Sequence, residues 1–287
     1  MKPINLGAAT VARIEESFFA DFKADTFFAD WRPDVVEEHR RWLIPNHYIE
    51  SRGTLNFSIH SWLVRTAHHT VLVDTCVGNG KRSDMPGWHM KSWPYLERLA
   101  AAGVTPEQVD FVLCTHMHAD HVGRNTRLEN GRWVPTFPNA RYVFSKTEFE
   151  AYSAIAREAA DGRPSFQDSV LPVVAAGRAQ MVSGAHALED GFLIEPAPGH
   201  TPGHVTIKLD AGSDRAIFTG DILHHALQVY YPHWSSESCA DPEQARVTRR
   251  RVLEYCVDSG ALLMPTHFGA PHVCRVERRG DAFAPRF

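Results

Sequence analysis

The segment Thr115-His116-Met117-His118-Ala119-Asp120-His121 sets three imidazoles and one carboxylate within six positions. Core packing does not explain it, because each polar tip would need its own buried partner. The segment follows the apolar run 109–114, which reads as a buried strand. Alternate residues leaving a strand point the same way, so His116 and His118 can grip one cation. Asp120 and His121 then turn toward a neighbouring position. Three further candidates close predicted strands or sit in tight Gly/Pro loops. His200 lies in Pro198-Gly199-His200-Thr201-Pro202-Gly203-His204, Asp221 ends Phe218-Thr219-Gly220-Asp221, and His267 ends Met264-Pro265-Thr266-His267. Together these five histidines and two aspartates make two sites of three or four N/O ligands with a shared oxygen. Such donors suit zinc, with manganese, iron or cobalt as alternatives.

The elements that must position these residues alternate between strand and helix patterns in both halves of the chain. Residues 55–60 alternate as a strand and 71–74 form a short buried one, followed by a long Gly/Pro/Trp/Met-rich loop over 76–91. Helices are expected at 33–43, 92–102, 146–160 and 242–258. Capping boxes open at Thr105, Ser145 and Asp241, and Gly103 and Gly260 serve as stops. Residues 205–209, 216–218 and 261–264 read as strands. Strand ends on one edge of a packed sheet converge in space, which is where α/β proteins build sites. No linker-like segment divides the chain. The expectation is a single α/β domain over 1–287, with two packed sheets flanked by helices and an aromatic-rich N-terminal extension over 1–50.

Composition narrows the function classes. A net charge of -4 argues against a nucleic-acid partner, and Arg249-Arg250-Arg251 is expected to be a solvated helix face. No run of 18 apolar residues exists to span a membrane, and the opening residues lack the apolar stretch of a secretory signal. Five cysteines, an odd number without pairing motifs, suggest a reducing, cytoplasmic setting.

The five pieces Val73-Asp74-Thr75, the 116–121 block, His200, Asp221 and His267 occur in the order of the metallo-β-lactamase-fold hydrolases, and the chain resembles that superfamily over 54–268. The resemblance implies an αββα sandwich with mixed sheets and a dinuclear metal centre. His116, His118 and His200 would bind the first ion, Asp120, His121 and His267 the second, and Asp221 would bridge both. Asp74 would support the site without ligating. Two ions about 3.5–4 Å apart turn a bridging water into a hydroxide nucleophile near neutral pH. Asp120 would orient it and carry its proton.

Departures from family patterns point to a branch. Asp221 stands where many antibiotic-hydrolysing members carry a cysteine, Met117 stands where diiron members carry a glutamate, and only 20 residues follow His267. The segments 121–126 and 220–224 and the aromatic N-terminus most resemble the lactonase and methyl parathion hydrolase-like branch. Lactonases of that branch usually place a tyrosine three residues after the bridging aspartate. Here it is His224, an imidazole able to donate or accept a proton. The expected activity is metal-dependent opening of lactones or cleavage of carboxylic esters, with Asp120 and His224 catalytic. Alternatives are phosphotriester hydrolysis, a β-lactamase side activity, or a non-catalytic metal-binding or RNA-processing protein. The loop 84–90 with Phe27, Phe28, Tyr230 and Trp234 is a candidate apolar pocket, and the N-terminal aromatics a candidate homodimer contact. His204 is expected to be structural, and His60, His68, His69, His186, His225, His233 and His272 to be surface or satisfied core residues.

Overall fold

The computed structural model describes residues 2–159 and 163–287. One sheet runs in chain order through β1 (Ile4–Leu6), β2 (Ala9–Phe19), β3 (Phe57–Arg65), β4 (Thr70–Val73), β5 (Phe111–Leu113), β6 (Arg141–Ser145) and β7 (Ala179–Val182). Pairing is antiparallel from β1 to β4 and parallel from β4 to β7. The second sheet comprises β8 (His186–Ala187), β9 (Phe192–Pro196), β10 (Val205–Asp210), β11 (Arg215–Phe218) and β12 (Leu262–Met264). It is antiparallel except for the parallel pair β11–β12. The principal helices are α1 (Asp34–Leu43), α2 (Tyr95–Ala101), α3 (Lys146–Glu158) and α4 (Pro242–Ser259). Parallel neighbours need a crossover, and α2, α3 and α4 lie in those between β4 and β5, β6 and β7, and β11 and β12.

Period-two alternation sorts side chains between layers. Trp62 and Val64 of β3 face the second sheet, where they join Ile207, Phe218 and Met264, while Leu63 points the other way. The outer face of the first sheet packs Leu72, Val112 and Phe144 against Tyr95 and Leu99 of α2 and Tyr152 of α3. Ile217 and Leu263 of the second sheet lie under Val252, Leu253 and Cys256 of α4. Helix, sheet, sheet and helix therefore stack in the αββα order. A fourth cluster joins Phe27, Phe28, Val35, Leu43, Tyr48, Leu55, Phe57 and Trp234, so much of the N-terminal aromatic group is buried within its own chain.

Strands β1 and β2 precede every strand expected from pattern. A bulge between Glu15 and Ser17 shifts the alternation in β2, which hides its period. Helix α2 begins at Tyr95 rather than Ser92, with Pro94 at its cap. The expected end of α3 near Ala160 lies outside the described residues; the helix runs to Glu158. Helix α4 starts with Asp241 accepting the Gln244 amide proton and stops at Gly260, whose φ is +65°. The solvated Arg249-Arg250-Arg251 face is corrected. Three successive residues span most of a helix circumference, and Arg249 points inward, fully buried. Its guanidinium donates to the carbonyls of Ile222, Pro232 and Trp234 at 2.6–2.8 Å, fastening the segment that carries His224.

Candidate metal centre

The candidate residues arrive at one edge of the sandwich from four chain segments. His116 to His121 follow β5, and His200 lies in the β9–β10 connection. Asp221 lies beyond β11 and His267 beyond β12. All seven meet in two groups: His116, His118, His200 and Asp221, and Asp120, His121 and His267, with the ligand atoms of each group within 4.8 Å of one another. In the first group, His200 Nε2 lies 3.2 Å from His116 Nε2 and 2.8 Å from His118 Nδ1. In the second, His121 Nε2 is 3.2 Å from His267 Nε2, and Asp120 Oδ2 is 3.4 Å from the latter. The Asp221 carboxylate divides between them. Its Oδ2 is 3.4 Å from His200 Nε2, while Oδ1 is 3.2 Å from His121 Nε2 and 3.1 Å from His267 Nε2.

Partners behind the imidazoles fix where their protons sit. Asp74 is an acceptor only, so His121 donates Nδ1–H to it across 2.8 Å. His267 Nδ1–H likewise donates to the Ser58 carbonyl at 3.0 Å. The Thr115 hydroxyl donates to Asp74 at 2.8 Å and leaves its oxygen to accept from His116 Nδ1 at 3.1 Å. Three Nε2 atoms consequently face the interior, where an ion would take the place of the protons that His121 and His267 otherwise hold there. Asp221 Oδ1, buried between the His121 and His267 Nε2 atoms, faces the same space and is a second indication of the same kind. The donor set therefore fits two divalent ions with nitrogen and oxygen ligands.

The electrostatics divide the two groups. Burial holds the His116 and His200 protonation equilibria well below the ordinary imidazole range and His118 down to about 4. Burial acts in the same sense on His121 and His267, but Asp221 and the nearby carboxylates outweigh it, so both are raised. Burial works against ionisation of Asp221, yet His121, His267 and His224 together hold it well below the usual carboxylate range. The second group is thus a place where positive charge is favoured.

Above these atoms lies a cavity of about 670 Å³. One wall is apolar, formed by Phe19, Phe22, Phe27, Phe57, Ile59 and Trp88, and Met85 and His89 of the 84–90 loop also line it. Phe28, Tyr230 and Trp234 are corrected as pocket residues. Phe28 packs on Trp234 at 5.5 Å in the N-terminal core, and Tyr230 stacks on Trp42 at 5.7 Å. His224 does line the cavity; its Nε2 is 3.3 Å from Asp221 Oδ2 and its ring meets Phe27 edge-on at 5.4 Å. His204 is excluded from both ligand groups and instead accepts the Asp221 amide proton at 3.1 Å. His60, His225 and His272 are buried, and His68 and His233 are exposed.

Sequence patterns did not single out two buried carboxylates that brace the loops. Glu16 accepts from the Val77 and Gly78 amides and pairs with Arg124. Glu148 accepts from the Met117 and Gly203 amides. Both act on backbone N–H groups, which leave no residue-type signature at the receiving end. The Ser145 capping box offers a partial signal: Ser145 caps the Glu148 amide, but the Glu148 side chain turns away to those loops.

The profile of the metallo-beta-lactamase superfamily matches residues 55–277. The N-acyl homoserine lactonase AiiA of Bacillus thuringiensis subsp. kurstaki is 23% identical over 168 residues, 54% of this chain and 60% of the relative. The chain thus spans about 60% of the length of that curated relative. Among solved structures, the hydrolase AbOPH of the beta-lactamase superfamily superposes with a TM-score of 0.82 at 22% identity, covering 99% of this chain and 96% of the other. The dizinc quorum-quenching lactonase AidC, in complex with a product, gives 0.78 at 20% identity with the same coverage. These likenesses establish the shared fold.

Proposed function

The chain belongs to the metallo-β-lactamase superfamily, and from that premise we propose that it is a dinuclear metal-dependent hydrolase of lactones or carboxylic esters. The observation that carries this reading is the convergence of imidazole Nε2 atoms on a divided Asp221 carboxylate beside a cavity with an apolar wall. Two bound divalent ions, zinc foremost, would supply Lewis acidity and make a water between them acidic near neutral pH. His116, His118 and His200 would hold one, Asp120, His121 and His267 the other, with Asp221 shared.

The chain's own residues account for the remaining steps. Asp120 lines the cavity, where its carboxylate can orient the attacking water and take up its proton. His224 faces the same space, with its buried Nε2 3.3 Å from Asp221 Oδ2. An Nε2–H there donates to the substrate carbonyl or to the departing oxygen. Phe19, Phe22, Phe27, Phe57, Ile59 and Trp88 offer apolar surface to an acyl or aryl arm. One structurally similar N-acyl homoserine lactone hydrolase holds its product N-hexanoyl-L-homoserine at the catalytic metal centre, which agrees with a lactone substrate here. A cytoplasmic setting agrees with all five cysteines being unpaired. No helix among the described residues is long and apolar enough to cross a membrane.

The reading is tested with zinc-loaded protein on a panel of acyl lactones and aryl carboxylic esters. An aryl phosphotriester and a chromogenic cephalosporin serve as comparisons. Turnover is expected to be fastest on a lactone or carboxylic ester carrying an apolar arm. Turnover confined to the phosphotriester or the cephalosporin would replace the substrate class, and no turnover of any kind would remove the enzyme reading.

A further inference from the structure

Glu148 is buried, with 1% of its surface exposed, and both its oxygens accept backbone protons from different loops. Oε1 takes the amide of Met117 at 3.1 Å, between His116 and His118. Oε2 takes the amide of Gly203 at 2.8 Å, in the loop of His200 and His204. The first loop leaves the seven-stranded sheet and the second belongs to the five-stranded sheet. One carboxylate therefore ties together the two halves of the sandwich at the point where they share a ligand set. Gly203 itself sits directly on the first turn of α3: a Cβ there would lie 2.1 Å from the Glu148 amide nitrogen. From Gly203 the chain passes to His204, whose ring holds the Asp221 amide at 3.1 Å. Glu148 thus holds the residue between His116 and His118 directly, the His200 loop through Gly203, and Asp221 more remotely through Gly203 and His204.

The other group has separate anchors. Asp74 accepts from His121 and from the Thr115 amide and hydroxyl, and Ser58 accepts from His267. Asp74 lies behind the Asp120–His121–His267 group and reaches His116 through Thr115, whereas Glu148 alone of the two holds the Met117 and Gly203 amides. We propose that Glu148 is the positioning residue of the loops that carry His116, His118 and His200, so that affinity for the ion held by those imidazoles depends on it while affinity at the Asp120–His121–His267 group does not. The proposal rests on the dinuclear reading above and extends it to a residue that touches neither ion nor substrate.

The test is a zinc titration of chelator-stripped protein against a chromophoric competitor, for wild type and Glu148→Gln. The glutamine is isosteric, but its NH2 must face one of the two amide protons, so one bond is lost. Wild type is expected to take two equivalents. In Glu148→Gln one equivalent weakens by about 10–100-fold, the usual range for groups behind a metal ligand, while the other stays within about threefold. Two unchanged affinities, or equal weakening of both, overturn the proposal. A lowered melting temperature of the stripped variant with unchanged zinc affinities assigns Glu148 a purely structural role and overturns it as well. Should Glu148→Gln fail to fold, Glu148→Asp, which keeps the charge but withdraws the carboxylate, gives the same readout. A wild type that takes fewer than two equivalents contradicts the dinuclear reading itself, before any variant is compared.

Discussion

His224 lines the cavity with its Nε2 3.3 Å from Asp221 Oδ2. If it donates a proton during ester or lactone cleavage, His224→Phe lowers kcat/KM by about 100-fold, the low end for general acid–base catalysis. Zinc content should remain two per chain, and His224→Tyr, which restores a donor, should recover part of the loss. Steady-state kinetics with metal analysis on the same samples checks this, and wild-type kcat/KM in the phenylalanine variant refutes the role. That seven His and Asp side chains gather at one edge was legible in the sequence, because such a density of polar tips has few purely structural explanations. Glu16, Glu148 and Arg249 were not legible. Each is an ordinary surface-type residue that holds backbone groups distant in the chain, and backbone groups carry no sequence signal.

At the scale of elements, chain reversals near the site are set by space as much as by hydrogen bonding. Gly123 follows the ligand block with an ordinary φ, yet a Cβ there would lie 1.8 Å from the Val77 carbonyl oxygen. Gly123→Ala must therefore push the 76–78 loop away, at a cost of about 1–3 kcal/mol or more by analogy with overpacked cores. Urea unfolding of the stripped protein measures this, and an unchanged midpoint would show that the loop yields freely. Helix α4 was legible because Asp241 caps it and Gly260 stops it, and α1 because Pro33 opens it and Val35, His39 and Leu43 make one buried face. Strands β6 and β7 were not separated by pattern: β6 is buried at its three central positions, while β7 is mostly half-exposed, so neither alternates cleanly.

The whole molecule carries many buried imidazoles, and their balance sets its response to acid. Ten histidines, His39, His47, His60, His116, His118, His200, His204, His224, His225 and His272, are pulled below the ordinary value, mainly by burial. His121, His267, Glu16 and Glu148 are raised and act in the opposite sense. A lowered group binds more protons unfolded than folded, so its contribution is complete above about pH 6.5 and is lost as the pH falls. For His225 and His272, both near 4, the loss spans about pH 6.5 to 4. The stripped protein should therefore lose stability over that window with a slope of more than one proton, measured by urea midpoints. A flat profile would mean that these rings are solvated. The account as a whole stands on two ions clasped at the sheet edge and required for hydrolysis. Metal content and lactone or ester turnover, followed together through exhaustive chelation and zinc restoration, test it most directly. The expected result is two ions per chain in active protein, activity lost with them and regained on reloading; ion-free protein retaining full turnover would contradict it.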